Sequence, residues 1–181
     1  PFTEADGNNR SWMLIHNGTI FDYPELDSYK DKETGDTDSE RILLYIIDKV
    51  DEFERNKGAL STIKERFHLL NQIVRELSKN NKLNLMIYDG DLTYIHSNMR
   101  NSLYYLKNEE GFLVASTPLT DDENWLPVEL NKLFGLIDGK IIFESEEHEN
   151  EYILTEEHEK AIEEFSKSLK RDEINDYSRT G

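Results

Sequence analysis

The chain has 181 residues, with 21 basic and 38 acidic side chains and a formal charge of −17. Such a field repels phosphate backbones and anionic lipid, which makes nucleic acid and membrane surfaces poor partners. There is no cysteine, so disulfides, thiolate metal sites and a cysteine nucleophile are excluded within these residues.

The length suggests one domain, large enough to bury roughly 70% of the surface its unfolded chain exposes. Aromatic residues make up 10% of the chain, which argues against wholesale disorder. No run approaches the roughly 18 apolar residues of a membrane helix, and no signal peptide is visible. The chain starts at Pro1 rather than at a methionine, so these absences describe only the residues present.

In chain order, "TEADGNNRS" (3–11) reads as a polar loop. In "WMLIHNGTIF" (12–21), Trp12, Leu14 and His16 alternate with Met13 and Ile15, which predicts a strand. That strand is expected to stop on His16-Asn17-Gly18. "DYPELDSY" predicts a short helical turn, with Pro24 suited to a first helical position. Thr37-Asp38-Ser39-Glu40 fits a capping box. Leu43, Ile46, Ile47, Val50 and Phe53 continue it at helical spacing. A second amphipathic helix is predicted from about Leu60 to Ser78.

From Lys82 the period changes. Asp89-Gly90, Gly111 and Asp138-Gly139 each sit between two strand-like runs, which predicts three hairpins. Residues 117–132 read as a long loop. Thr155 caps a final amphipathic helix through about Arg171, followed by a frayed tail. One domain over 1–171 and a tail over 172–181 are expected. Strand, two helices, about six strands and a helix make an α+β order, with antiparallel sheet covered by helices.

The chemistry-bearing motifs each carry two readings. Asn17-Gly18 is either a type I′ turn or an oxyanion hole, in which a carboxamide and a backbone N–H address a developing O⁻. Asp38 either complements the helix dipole or accepts an ammonium, since Thr37 and Glu40 already serve the cap. The histidines show no metal-ligand spacing. "DGD" (89–91) starts like a calcium loop, but Tyr94 and Arg100 stand where glycine and glutamate are required, so a hairpin turn accounts for it better. "TDDEN" (120–124) reads as a solvated charged loop. No phosphate-binding glycine loop is present.

Taken together, "PF", "WMLIHNGTI", "GDTDSER", "LNLMIYDGDLTYIH" and "VASTPLTDDENW" resemble the class II glutamine amidotransferases, and most of all their small stand-alone, YafJ-like branch. The resemblance covers residues 1 to about 143. It implies an N-terminal-nucleophile hydrolase fold, an α/β/β/α sandwich of antiparallel sheets, and hydrolysis of glutamine to glutamate and ammonia. Asn17 and Gly18 match the family's oxyanion pair. Asp38 matches the acid that holds the α-amino group of glutamine, and His16, which opens the motif, is assigned to substrate binding with it. No metal and no cofactor are implied. The implied partners are glutamine or another γ-glutamyl small molecule, with an ammonia acceptor that nothing identifies. The setting is cytoplasmic, and a homo-oligomer is compatible with it.

One departure is large. The family's nucleophilic cysteine and its carboxylate-binding arginine lie upstream of the matching motifs, and neither is in this chain. A preceding segment of several tens of residues is therefore expected, and these residues alone are expected to be incompetent as a glutaminase. Two readings compete with the amidotransferase: a non-catalytic module on the same fold, and an amidohydrolase acting on another γ-glutamyl compound.

Overall fold

The computed structural model describes residues 1–108, 111–121, 124–156 and 158–160. Its strands are β1 (Phe2–Ala5), β2 (Ser11–Thr19), β3 (Lys82–Tyr88), β4 (Thr93–His96), β5 (Tyr104–Lys107), β6 (Phe112–Ala115), β7 (Leu126–Pro127), β8 (Leu133–Ile137) and β9 (Lys140–Glu144). Two helices, α1 (Asp38–Lys57) and α2 (Ile63–Leu77), follow a 3₁₀ turn at Pro24–Tyr29.

Six strands form one antiparallel sheet in the order β1-β2-β3-β4-β8-β9, and three form a second in the order β6-β5-β7. Strand alternation sends side chains to opposite faces. Trp12, Leu14, Leu83, Leu85, Ile87 and Tyr94 meet α1 and α2 in the larger core. Ile95, Phe134 and Leu136 leave the other face and meet Tyr105 of the smaller sheet and Leu103 and Val128, which flank its strands. The class is α+β, with one sheet packed on another. The described residues form three of the expected layers, helix on sheet on sheet. The final helix falls mostly outside them, and the tail falls wholly outside.

The structure revises the local readings in four places. Residues 3–11 are only partly loop, because Phe2–Ala5 pairs with Ser11–Leu14 as an edge strand. The buried Asp6 carboxylate closes that hairpin, accepting from Asn8 N, Arg10 N and Trp12 Nε1. The strand expected to stop on His16-Asn17-Gly18 does not end there. It runs through to Thr19, with Asn17 opposite Asn84 and Gly18 opposite Leu83, which excludes the type I′ turn.

The capping box at α1 is half-formed. The Thr37 hydroxyl accepts from Glu40 N at 3.3 Å, but the Glu40 carboxylate turns to Thr34 N and Gly35 N at 2.7 and 2.8 Å. The reciprocal box occurs instead at Thr62 and Glu65, which open α2. The long loop also contributes the two-residue strand β7, beside β5.

Candidate active site

The end of β2 lies against the start of α1. His16 points to the helix face, and its side chain is 1% exposed. With the ring neutral, Nε2–H donates to the Lys82 carbonyl at 3.4 Å, and Nδ1 accepts from the Ser39 hydroxyl at 3.0 Å. Burial holds His16 below its ordinary pKa, against the attraction of Asp38. The Asp38 carboxylate approaches the ring to 3.8 Å.

Asp38 is less free than its helix position suggests. Its Oδ2 accepts from Ile20 N at 2.9 Å, where the chain leaves β2, so the first turn of α1 is pinned to the strand end. Its side chain is still 27% exposed, and a carboxylate has about four acceptor sites, so capacity for an ammonium remains. Asp38 and Arg41 line a cavity of about 180 Å³ with Ile20, Phe21 and Tyr23.

Asn17 and Gly18 behave differently from each other. Asn17 is exposed and points to the opposite face from His16, in line with Met13 and Ile15. Its Oδ1 accepts from the Lys82 ammonium at 3.2 Å, and its Nδ2 has no partner among the described residues. Gly18 is required by close approach. A Cβ there would lie 2.0 Å from the Lys82 carbonyl oxygen and 2.4 Å from His16 Nε2.

The structure therefore brings His16 and Asp38 together, with Asn17 and Gly18 in adjacent positions of the same strand. It does not put the four side chains on one face. The His16 ring, expected to bind substrate, lies buried between the Ser39 hydroxyl and the Lys82 carbonyl. Lys82 and Ser39 were not singled out from the sequence. Ser39 is adjacent to Asp38 and legible only as part of a cap. Lys82 reaches Asn17 across a strand pairing whose register no local pattern reveals.

The family's sequence model, described as glutamine amidotransferases class-II, matches residues 1–112, more than half the chain. The chain belongs to the class II glutamine amidotransferases. An uncharacterized protein of Methanocaldococcus jannaschii is 24% identical to it over 72% of this chain and 42% of its own length. YafJ of Escherichia coli is 26% identical over 64% of this chain and 44% of its own length. The chain thus spans less than half the length of these sequence relatives.

Among solved structures, a predicted glutamine amidotransferase of Pseudomonas aeruginosa superposes with a TM-score of 0.59 at 21% identity, covering 79% of this chain and 64% of its own. The glutamine phosphoribosylpyrophosphate amidotransferase of B. subtilis gives 0.54 at 16% identity, covering 80% of this chain and 31% of its own. At these identities the likeness speaks to fold, and the fold is the N-terminal-nucleophile hydrolase type. No group of three or more His, Cys, Asp or Glu that could hold a metal occurs among the described residues. No helix among them is long and apolar enough to cross a membrane.

Proposed function

We propose that these residues carry the charge-stabilising and amino-group-binding part of a site that hydrolyses the side-chain amide of glutamine to glutamate and ammonia. The observation that carries the reading is the junction of β2 and α1. A carboxamide N–H group with no partner among the described residues and a glycine that admits no side chain lie at one strand end, and a partly exposed carboxylate is bonded to the chain just beyond it. In this reading Asn17 Nδ2 and the Gly18 backbone N–H stabilise the tetrahedral oxyanion, a contribution of about 2.7–4 kcal/mol per donor in comparable sites. Asp38 takes the α-ammonium of glutamine. Ile20 N–H holds the Asp38 carboxylate beside the strand, and the buried His16 ring packs behind it without touching the substrate. An extended glutamine spans only several ångströms, about two residues of extended chain, so this reading requires Asn17 Nδ2 and the Asp38 carboxylate to lie within that reach of each other round the end of β2.

An oxyanion hole works only once a nucleophile has attacked, and these residues contain no cysteine. The chemical step in this reading needs a thiol from polypeptide beyond them. The 181 residues are proposed to form one domain over 1–171 with a short tail.

The test is ammonia release from glutamine. The 181-residue chain is compared with the longer polypeptide that joins it to a cysteine-bearing N-terminal segment. Turnover by the longer polypeptide, reduced about 100-fold or more by Asn17→Ala, is expected. Turnover by the short chain alone would overturn the division of labour. Turnover by neither would favour a non-catalytic module. Turnover of other γ-glutamyl compounds in preference to glutamine would move the activity to a different amidohydrolase.

A further inference from the structure

Lys82 is the first residue of β3, and two of its groups converge on the end of β2. Its carbonyl packs where a Gly18 Cβ would stand and accepts from His16. Its ammonium donates to Asn17 Oδ1 at 3.2 Å.

The pairing explains why Lys82 makes this contact. Asn84 stands directly opposite Asn17, but its side chain is already engaged. Asn84 Nδ2 donates to the Ser102 hydroxyl and carbonyl at 2.9 and 3.2 Å. Asn84 Oδ1 accepts from Ser97 at 2.8 Å. The next residue on the same face is Lys82, at the diagonal position that long side chains can bridge. An ammonium only donates, so this bond settles which end of the Asn17 carboxamide is which. The oxygen is held by Lys82, and the N–H groups are left for something else. Lys82 is half-buried, and burial lowers the pKa of its ammonium.

We propose that Lys82 is a positioning residue for the oxyanion donor: it clamps the carboxamide oxygen of Asn17 so that Nδ2 is the group offered to the substrate carbonyl. The proposal rests on the amide-hydrolysis reading above and adds a residue that the family's His-Asn-Gly and Thr-Asp-Ser-Glu motifs do not contain. Without the clamp the carboxamide rotates freely, and half of its orientations present an oxygen lone pair to a developing negative charge. The plain alternative is a surface tether with no consequence for the site.

The experiment is a double-mutant cycle on the longer, thiol-bearing polypeptide, with Lys82→Met, Lys82→Arg, Asn17→Ala and the Asn17→Ala/Lys82→Met pair. The expected result is a roughly 10-fold fall in kcat for Lys82→Met with KM changed less than about two-fold, and recovery of most of the loss in Lys82→Arg. This is the split given by a group that acts only in the transition state. In the Asn17→Ala background, Lys82→Met is expected to cost nothing further. An equal cost in both backgrounds would overturn the proposal, as would an unchanged kcat for Lys82→Met. If Asn17→Ala leaves kcat intact, the oxyanion reading itself falls, and the Lys82 proposal falls with it.

A second measurement needs no turnover. In the 181-residue chain, the side-chain amide proton signals of Asn17 are compared by NMR with those of the Lys82→Met chain. A clear shift of those signals, with the rest of the spectrum preserved, is expected. Unchanged signals would show that the clamp does not exist in solution and would overturn the proposal.

Discussion

Gly18 is a residue whose chemistry is set by what lies beside it. Its backbone φ is not in the left-handed region, so conformational freedom is not the reason for glycine here. The reason is the Lys82 carbonyl, 2.0 Å from where a Cβ would be. Backbone cannot yield as a flexible side chain can. Gly18→Ala is therefore expected to cost at least the 1–3 kcal/mol typical of overpacking, read as a fall in the urea midpoint. Asp38 separates two roles that sequence alone merges. Asp38→Asn keeps an oxygen acceptor for Ile20 N but removes the charge. Its stability is expected to change by less than about 1 kcal/mol, while glutamine binding, measured by calorimetry, falls about 10-fold or more if Asp38 takes the ammonium. A large loss of stability with unchanged binding would make Asp38 purely structural.

At the scale of elements, α2 is tied to the β3–β4 hairpin by a buried ionic network. Arg66 is 3% exposed and Asp89 is 0% exposed. Arg66 Nε donates to Asp89 Oδ2 at 2.6 Å, Nη1 donates to the Ser61 carbonyl at 2.9 Å, and Nη2 reaches Asp91. Asp89 also accepts from the Tyr94 hydroxyl at 2.6 Å, and from Asp91 N and Leu92 N in the turn. The "DGD" sequence is thus a hairpin whose first carboxylate receives an arginine, not a calcium ion. Removing the cation leaves a buried charge without its counter-ion. Arg66→Ala is expected to destabilise by about 3–5 kcal/mol, measured by chemical denaturation. Asp91→Ala removes only the more exposed partner and is expected to cost about 1 kcal/mol or less.

At the scale of the whole molecule, two distant segments meet through a buried histidine pair. His96 on β4 and His148, beyond β9, approach to 3.0 Å between their Nε2 atoms. His96 Nδ1–H donates to the Leu83 carbonyl at 2.8 Å, so its Nε2 is an acceptor. His148 Nδ1 accepts from Asn150 N at 3.2 Å, so its Nε2–H is the donor. The arrangement requires both rings neutral. Burial, and then the neighbouring His148, pushes His96 down to about 3. Burial, and then Arg75, pushes His148 down to about 4. The unfolded chain therefore binds more protons than the native one between those values and the ordinary 6.5.

The contribution to stability is whole above pH 6.5. It is lost as pH falls through 6.5 towards 4 and then 3, at up to about 1.4 kcal/mol per pH unit for each ring. Glu54 adds a loss lower down. Burial opposes its charge, but Ser61 and Arg10 outweigh burial and hold it at about 2, so its part disappears between about 4.5 and 2. Urea midpoints at pH 7.5, 6 and 5 are expected to fall in that order. His148→Gln is expected to flatten the slope between pH 6.5 and 4, even though the variant starts less stable.

Much of the fold was legible from local periodicity. The apolar stripes of α1 and α2 and the Asp-Gly turns are decided within a few residues, because helix and hairpin geometry are short-range. Membership of the amidotransferase class was likewise carried by short motifs, His-Asn-Gly and Thr-Asp-Ser-Glu above all. The edge strand Phe2–Ala5 was not legible, because three of its four residues are exposed and show no apolar alternation; only pairing with β2 makes it a strand. The continuation of β2 through Asn17-Gly18 was hidden for a related reason. A dipeptide that favours a turn is overridden when β3 supplies seven residues of ladder opposite it. What the site residues face was decided by tertiary structure alone. Whether His16 is buried, whether Asp38 is already bonded and which end of Asn17 is free all depend on Ile20, Ser39 and Lys82. The β2–β3 register brings Lys82 to Asn17 across 65 residues of chain, a contact that no local pattern encodes.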